Sequence, residues 1–445
     1  MDFQAFKEAV IAKCAEMGIA DYELYYQSAE STSVSAFQHE INQFTSSIEG
    51  GVCFRCIWGG KMGYASTEAL NEAEASAVVQ RAVDNASVLE AEEQVFLGEG
   101  GKTYQPLPED YTQMPATEEI ISKVLSTQEQ LYRADPAVID GSSTQGVAES
   151  MEIAIYNSRG LDLSSRGVLT GLVVAAVVTD GKEMTNDYQI KIAELSSIDA
   201  EELTKKAAKT ALSKLGGDVA PTGQYPVVFD PEAMSDLLGT FSGIFSAEAA
   251  QKGLSKLANQ EGNIIAAEQV TLVDDPFWKD APIKRNFDAE GSPVYTKNVV
   301  EKGKLNTLLY NLKTAAVAGK ETTGNASKAG YASQVSTATY TFYLAPGEID
   351  EEALLQQAGN GVYINSLGGL HAGADPISGD FSLQSAGFLI ENGQKTTAVK
   401  SFTVAGNFYE LLKNIQCVAS NLEFPGMGMI GSPSVLASGL SIAGK

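Results

Sequence analysis

The stretch from Asp230 to Leu257 constrains the fold of this 445-residue chain more than any other. Asp230 offers a side-chain acceptor to the first free backbone amides of a helix, and Pro231 brings a preset φ to the first helical position. Apolar residues then recur at helical spacing, at Met234, Leu237, Leu238, Phe241, Ile244 and Phe245. The pattern predicts an amphipathic helix that begins at Pro231 and buries one face.

Two charged residues, Glu248 and Lys252, continue the apolar stripe of this predicted helix. At about 100° per residue, both fall within roughly 25° of the centre of the buried face. An unpaired charge on such a face costs far more than an exposed one. We therefore expect that the helix, predicted over residues 230–257, either ends near Gly253 in a polar cleft or holds the two residues inside as an ion pair.

The same segment resembles the signature helix of the TldD/PmbA family, also called modulator of DNA gyrase, whose catalytic members carry HExxxH. Ala247 occupies the position of the first histidine, Glu248 that of the acid, and Lys252 that of the second histidine. The zinc-binding branch also carries a cysteine in a PGMCG stretch, and Gly428 occupies that position here. Only the carboxylate is retained, so the chain is similar to the PmbA (TldE) branch, which lacks the metal.

The charge balance restricts the partners of the protein. The chain has 56 acidic and 31 basic residues, with a net charge of −25. Nucleic-acid binding rests on clustered Lys and Arg, and no basic run is present, so no direct nucleic-acid contact is expected. The amino terminus has no signal-like segment, and the longest apolar run, residues 171–178, is too short to span a bilayer. We expect a cytoplasmic protein with no membrane contact.

The four cysteines of the chain do not predict a disulfide framework at this length. Cys53 and Cys56 form a CxxC spacing within the apolar run GVCFRCIW, which is typical of a strand. Residues three apart on a strand face opposite sides, so we interpret this pair as ordinary sheet cysteines rather than a redox or zinc pair.

One pattern of helices and strands occurs twice in the first half, which predicts an α+β fold. We expect an N-terminal domain, residues 1–220, of duplicated α-β-β-β-β-α units at 1–90 and 117–216. A Pro- and Gly-containing segment, 91–116, would link them. Gly59-Gly60 in the first unit and Asp180-Gly181 in the second are predicted hairpin turns.

The second half, residues 221–445, is predicted to be a mainly antiparallel β domain that contains the signature helix. Its clearest hairpin turns at Asn392-Gly393, because this pair fits the two positive φ angles of a type I′ turn. Helices are expected at Asp350–Ala358 and Asn407–Ile415.

Two glycine-rich stretches belong to the candidate cleft of this second half. Residues 368–382 resemble a loop of the family, and their glycines would bring the backbone close to a ligand. His371 is the weak catalytic candidate there, with Asp380 beside it, although a plain surface loop explains the stretch equally well. Residues 424–432 contain a formal GxGxxG, but the 14 residues after Gly431 leave no room for a βαβ unit. We interpret them as the vestigial ligand loop.

The other histidine, His39, is followed by Glu40 and superficially begins an HExx motif. Gln43 and Phe44 do not complete it, and the alternating pattern favours a solvent-facing strand residue. A site with two imidazoles would need His39 and His371 together, since the chain has two histidines.

The resemblance implies the non-catalytic, metal-less subunit of a cytosolic TldD/PmbA-type zinc metallopeptidase that acts on unfolded peptides. It further implies a TldD-like, HExxxH-bearing partner that holds the zinc, and it leaves open whether the isolated chain forms a homodimer. Peptide-antibiotic maturation, antitoxin turnover and gyrase modulation are the implied roles. Glu248 is then a vestigial catalytic residue, and the cleft is expected to be lined by Ala247, Glu248, Lys252, His371, Asp380, Gly426 and Gly428.

Three alternatives remain open from the sequence. The chain is a standalone peptide-binding regulator of gyrase or its inhibitors, or a self-sufficient hydrolase that uses His371 with Asp375 or Asp380. In the third alternative, it binds a metal through carboxylates alone.

Overall fold

The computed structural model describes residues 1–90, 96–107 and 113–445. The helices of the first half are α1 (Phe3–Met17), α2 (Glu72–Ser87), α3 (Thr117–Ala134) and α4 (Ala200–Ser213). Its strands are β1 (Tyr22–Phe37), β2 (Glu40–Trp58), β3 (Lys61–Thr67), β4 (Ser143–Asn157), β5 (Asp162–Thr179) and β6 (Met184–Ile192).

These six strands form one antiparallel sheet in the order β3-β2-β1-β4-β5-β6. The central pair, β1 with β4, runs in register from Glu23 opposite Asn157 to Phe37 opposite Ser143. The two sequence units therefore lie side by side. The first strand of each unit is at the centre of the sheet and the third strand is at an edge. Helices α1 and α2 cover one half of the sheet and α3 and α4 the other, with separate apolar cores beneath them.

The α+β class is confirmed, but the prediction of four strands in each unit is wrong, because each unit has three. In the first unit, the chain turns at Gln38 and His39, whose φ angles are 49° and 66°. Alternation of polar and apolar residues on both sides of this turn gave the false impression of one strand. His39 is thus an exposed turn residue rather than a strand residue, and its ring lies 4.5 Å from that of Tyr132. The hairpin turns at Gly59-Gly60 and Asp180-Gly181 are confirmed.

The helices of the second half are α5 (Pro231–Phe241), α6 (Ala247–Gln251), α7 (Leu312–Ala318), α8 (Glu351–Ala358), α9 (Leu370–Gly373) and α10 (Phe408–Lys413). Its first strands are β7 (Gly223–Phe229), β8 (Leu272–Asp275), β9 (Lys297–Glu301), β10 (Lys304–Leu305), β11 (Ala326–Ser327), β12 (Ser336–Thr337) and β13 (Thr341–Leu344). The remaining strands are β14 (Gly361–Gly368), β15 (Asp380–Glu391), β16 (Gln394–Asn407), β17 (Ile415–Val418), β18 (Ile430–Gly431) and β19 (Val435–Ala443).

The main sheet of the second half closes on itself. Its order is β16-β15-β14-β7-β19-β17, and β16 also pairs with β19. The hairpin between β15 and β16 turns at Asn392 and Gly393, with φ angles of 51° and 75°, as predicted. Helix α5 contributes Met234, Leu237 and Phe241 to the large core that this sheet shares with the smaller sheet β10-β9-β8-β13-β18.

The predicted signature helix begins as expected but is not continuous. The Asp230 carboxylate accepts a hydrogen bond from the Ala233 amide at 2.8 Å, which confirms the start. Helix α5 then ends at Phe241, a 3₁₀ turn covers Ser242–Phe245, and Ser246 is extended at φ −68° and ψ 125°. This break changes the helical phase, so the prediction that Glu248 and Lys252 continue the buried face of one helix is wrong.

The described part of the predicted linker packs against both halves of the chain. Its residues 91–95 and 108–112 lie outside the described residues, and residues 96–107 have no helix or strand. The Tyr104 hydroxyl donates to the Gly291 carbonyl at 2.8 Å, and the Asn157 amide donates to the Gly98 carbonyl at 2.9 Å. The division into domains at residue 220 stays a prediction.

The interpretation of the CxxC pair as sheet cysteines is confirmed. Cys56 belongs to the core under α1 and α2, whereas Cys53 lies on the other face of the sheet, with Phe287 of the second half. All four cysteines are free thiols.

We predict that Phe241→Ala lowers the free energy of unfolding by about 3–5 kcal/mol, because it opens a cavity in a fully buried core. The Phe241 ring is stacked on Phe408 at 4.6 Å. Phe44→Ala is the matched control, since Phe44 is 52% exposed on β2, and it should cost less than about 1 kcal/mol. Urea unfolding followed by circular dichroism measures both, and equal losses would contradict this description of the core.

Candidate functional site

Helix α6 carries the charged pair predicted from the signature segment. Ser246 caps this short helix, with its hydroxyl accepting from the Ala249 amide at 3.3 Å. The Lys252 ammonium donates to Oε1 of Glu248 at 2.6 Å, and the Ser336 hydroxyl of β12 donates to Oε2 at 3.3 Å. The side chains of Lys252 and Glu248 are 61% and 30% exposed. The pair therefore lies at a surface, where such an ion pair contributes at most about 1 kcal/mol.

This ion pair borders a cavity of about 580 Å³ that lies between the two halves of the chain. From the first half, the described lining includes Arg55, Lys61, Met62, Tyr64, Leu89 and Phe96. From the second half, it includes Glu248, Lys252, Glu290, Lys313, Val317 and Val335. The expectation that the helix ends near Gly253 in a polar cleft is confirmed, since α6 ends at Gln251 and its last residues line this cavity.

A buried arginine, Arg55 of β2, lies in the wall of the cavity. Its Nε donates to Oε1 of Glu23 at 2.8 Å, and its Nη2 lies 2.7 Å from the same oxygen. Nη2 is itself buried, so one oxygen of Glu23 faces two nitrogens of the guanidinium. Oε1 of Glu290 is 3.9 Å from Nη1, which is beyond hydrogen-bonding distance. Glu23 thus neutralises the charge of Arg55 inside the protein.

Glu290 is held in place by a tight acidic turn. Oδ1 of Asp288 accepts from the backbone amides of Glu290 at 2.9 Å and Ser292 at 2.8 Å, and Oδ2 accepts from Ala326 at 3.0 Å. Oε2 of Glu290 accepts from the Leu312 amide at the start of α7, at 2.8 Å. Burial raises the pKa of Glu290 to about 7, opposed by Arg55, and burial raises the pKa of Asp288 to about 6, opposed by its backbone donors.

The residues at the family's metal-ligand positions do not fit a zinc ion. Zinc needs nitrogen, sulfur or oxygen donors from side chains, which Ala247 and Gly428 lack. Ala247 is fully buried, and the Lys252 ammonium is bonded to Glu248. Within the described residues, no three His, Cys, Asp or Glu side chains are grouped as a metal site. That this chain functions without a metal stays a prediction.

The other predicted cleft residues are not among the residues described as lining the cavity. His371 is exposed on α9, and the Asp380 carboxylate accepts from the Asn407 amide at 2.7 Å. Gly426 and Gly428 have φ angles of 60° and 73° in the loop before β18. A role for these four residues at a cleft stays a prediction.

Sequence reasoning missed Arg55, and the signal for it was present. Arg55 is the one charge within the apolar run GVCFRCIW, and a charge on a buried strand requires a partner. Glu290 approaches Arg55 from a distant part of the sequence. Nothing local in the sequence indicates that contact.

The fold and the α6 segment define a member of a metallopeptidase family. The sequence matches the PmbA/TldA metallopeptidase domain 1 over residues 22–86, the central domain over 112–215 and the C-terminal domain over 222–444. The protein therefore belongs to the PmbA/TldD metallopeptidase family.

Curated relatives match along nearly the whole chain. An uncharacterized protein of Methanocaldococcus jannaschii is 26% identical over 431 residues, which cover 96% of this chain and 98% of that protein. The metalloprotease PmbA homolog of Haemophilus influenzae is 25% identical over 435 residues, which cover 96% of this chain and 93% of that protein.

Solved structures share the fold. A protein of Thermotoga maritima that is named as a modulator of DNA gyrase superposes with a TM-score of 0.90 at 29% identity, covering 99% of this chain and 100% of that chain. TldE from Thermococcus kodakarensis superposes with a TM-score of 0.88 at 21% identity, with the same coverage, which shows a common fold. In the part of the chain that the structure describes, no helix is long and apolar enough to cross a membrane.

We predict that the stability of the protein falls as the pH rises from about 4.5 to about 7, in part because of Glu290. In the unfolded chain this carboxyl ionises near its ordinary pKa of 4.5, whereas the folded protein retains the proton up to about 7. As the pH rises, Glu290 loses its proton in the unfolded state first, and this stabilises the unfolded state relative to the folded one. Glu290→Gln should reduce this decline, as measured by urea unfolding across the pH range. Glu8→Gln on the exposed face of α1 is the control, and an unchanged slope in Glu290→Gln would contradict the assignment.

Proposed function

We propose that this chain is the non-catalytic, metal-less subunit of a TldD/PmbA-type zinc metallopeptidase that acts on unfolded peptides. The observation that carries the proposal is the ion pair on α6. Glu248, at the position of the family's catalytic acid, is bonded at 2.6 Å to Lys252, which stands where a metal ligand is expected.

The chemistry of metallopeptidases explains why this pair matters. A zinc ion with three protein ligands lowers the pKa of a bound water, and a glutamate then acts as the base. Here Glu248 has no neighbouring ligand set, because Ala247 and Gly428 carry no donor atoms in their side chains. A TldD-like partner with HExxxH would supply the zinc and the base.

The contribution of this chain would be a binding wall. Its cavity of about 580 Å³ lies beside α6 and is lined by both halves of the chain. A sheet edge is a second feature suited to extended peptides. Strand β3 pairs with β2 only over Val52–Trp58, whereas β1 pairs along β2 from Glu40 onwards. Phe44 and Ile48 in this overhanging part of β2 are 52% and 77% exposed. An overhanging edge accepts an added strand, from a peptide or a partner.

The net charge of −25 supports protein or peptide partners rather than DNA. A link to gyrase would then pass through a protein or peptide contact. Peptide-antibiotic maturation and antitoxin turnover are the corresponding roles that we propose for the complex.

The purified chain is predicted to retain far less than one zinc per chain after dialysis against a chelator, because the donor atoms at α6 are absent. Elemental analysis by mass spectrometry measures this. A purified HExxxH-bearing homologue, treated identically, is the positive control. A tightly held stoichiometric zinc that disappears in Glu248→Gln would overturn the metal-less assignment.

Cleavage of an unfolded peptide should require the partner. We expect no turnover by this chain alone, and turnover when a purified HExxxH-bearing homologue is added, above that of the homologue alone. Mass spectrometry of the peptide products follows the reaction. Turnover by the isolated chain that is abolished by His371→Ala would instead favour the self-sufficient hydrolase.

A pair of glutamate variants is the matched control for this assay. Glu248→Gln should leave the activity of the complex within about twofold, because the base belongs to the partner. The equivalent change in the partner's HExxxH motif should abolish the activity. The opposite pattern would place the catalytic acid in this chain.

A further inference from the structure

One part of β2, residues 40–50, is a strand edge without a partner in the described part of the chain, and we call it the β2 overhang. Strand β1 pairs with it on one side, whereas β3 on the other side begins to pair only at Val52. Residues 42–46 are exposed without interruption. A strand edge of this length presents a row of backbone N–H and C=O groups to which another chain can bind.

The two outermost strands of the same sheet have protected edges. On β3, the side-chain amide of Asn85 in α2 donates to the Tyr64 carbonyl at 2.7 Å. On β6, the Lys214 ammonium after α4 donates to the Asn186 carbonyl at 3.1 Å. The β2 overhang contains no Lys or Arg, and in the described part of the chain neither a strand nor a backbone donor covers its outer side. It is therefore open where β3 and β6 are closed.

The second sequence unit shows how the equivalent segment is covered. The counterpart of the β2 overhang is residues 162–170 of β5, which precede the part of β5 that pairs with β6. The Ile283 side chain of the second half lies 3.7 Å from where a Cβ on Gly167 would be. The Thr170 carbonyl accepts from the Ala193 amide at 3.1 Å. One of the two equivalent positions is thus covered from within the chain, and the other is open to a separate polypeptide.

The side chains of the β2 overhang define what kind of strand fits it. Phe44 lies opposite Val34, a core residue beneath α3 and α4, so Phe44 and Ile48 belong to the helix-bearing face of the sheet. Their exposed fractions are 52% and 77%. An added strand with apolar residues at alternate positions would cover them. The opposite face of the overhang is polar and carries Gln43, Thr45 and Ser47.

The charges around the β2 overhang are acidic. Glu40 and Glu49 lie at its ends, Glu30 lies on the neighbouring β1, and Glu68 follows β3, and all four are exposed. Basic residues at the ends of an added strand would therefore be attracted. A second copy of this chain would bring the same carboxylates and its own net charge of −25, which opposes pairing between copies. The charge complement of this edge is a cationic peptide.

We propose that the β2 overhang binds, as an added strand, an extended peptide with apolar residues at alternate positions and Lys or Arg at its ends. The inference rests on the proposed function for the role of such a peptide as a substrate, and it names the class of peptide. Backbone hydrogen bonds hold the peptide, Phe44 and Ile48 contact its apolar residues, and Glu40 and Glu49 attract its basic ends.

Binding to the isolated full-length chain tests the inference without any partner. Fluorescence anisotropy compares two peptides of about eight residues, a typical strand length, with the same alternating Val and Thr core. One peptide has Lys at both ends and the other has Glu. We expect the Lys-ended peptide to bind at least about tenfold more tightly. Equal affinities, or no binding of the Lys-ended peptide at millimolar concentration, would overturn the proposal.

Backbone methylation separates strand addition from contact through side chains alone. A strand directs every second N–H towards a given neighbour. N-methylation of one alternate set of residues in the Lys-ended peptide should therefore weaken binding at least about tenfold, and N-methylation of the other set should leave the affinity within about twofold. The same effect from both sets would contradict strand addition.

Ile48→Lys should weaken binding of the Lys-ended peptide at least about tenfold, because it replaces an apolar contact with a cation on the strand edge. The matched control is Val88→Lys, since Val88 is also 77% exposed and lies outside the sheet, and it should leave the affinity within about twofold. Thermal unfolding shows that each variant is folded. A folded Ile48→Lys protein with unchanged affinity would refute the assigned edge.

A second double variant leaves the apolar contacts intact. Glu40→Gln/Glu49→Gln should reduce the preference for the Lys-ended over the Glu-ended peptide about fivefold, because exposed charges contribute modestly. Glu348→Gln/Glu391→Gln is the control, since it makes the same change in net charge at two exposed residues of the second half and should preserve the preference. An unchanged preference in Glu40→Gln/Glu49→Gln would contradict the proposed charge pairing.

Analytical ultracentrifugation tests whether a second copy occupies the edge instead. A dimer that Ile48→Lys dissociates and that the Lys-ended peptide leaves intact would overturn the proposal. Failure of this inference is distinguishable from failure of the proposed function. Partner-dependent cleavage without binding at the β2 overhang would refute the inference alone, whereas binding there without partner-dependent cleavage would refute the proposed function alone.

Discussion

The antiparallel pairing of β1 with β4 is the constraint on which the rest of the structure depends. This pairing, which runs from Glu23 to Phe37 on β1, joins the two sequence units into one sheet. Because β2 lies next to β1, the same pairing fixes where Arg55 stands relative to the second unit. The outer face of the sheet then packs on the second half of the chain, where Cys53 and Tyr25 contact Phe287 and Ala326 in one apolar cluster.

This arrangement explains how a charged cavity is maintained between two halves of an acidic protein. Glu23 and Arg55 are carried by neighbouring strands, so their contact requires only the β1–β2 pairing. Glu290 is brought in by a turn that the Asp288 carboxylate holds through three backbone amides. The polar groups of the cavity are therefore positioned by regular strands and a rigid turn, which is how binding residues are held with precision.

Local chemistry in the sequence predicted much of the fold. Asp230 with Pro231 marked a helix start, and Asn392 with Gly393 marked a hairpin, because both pairs act through a few neighbouring atoms. The break at Ser242–Ser246 was missed, since apolar spacing continued through it. Tertiary packing of Ile244 and Phe245, both fully buried or nearly so, overrides helical continuity there. The candidate site was predicted only in its α6 part, because the approach of Arg55 to Glu290 depends on long-range pairing that no local pattern encodes.

The closed ring of strands in the second half also has a consequence for biosynthesis. Strand β7 lies between β14 and β19, and β19 completes the ring by pairing with β16. A ribosome therefore has to release residues 435–443 before β7 acquires its second neighbour. The six-stranded sheet uses residues 22–192 only, so it is complete in the nascent chain long before that point. The chain order thus allows the strands of the first half to pair during translation, before the final strand closes the ring of the second half.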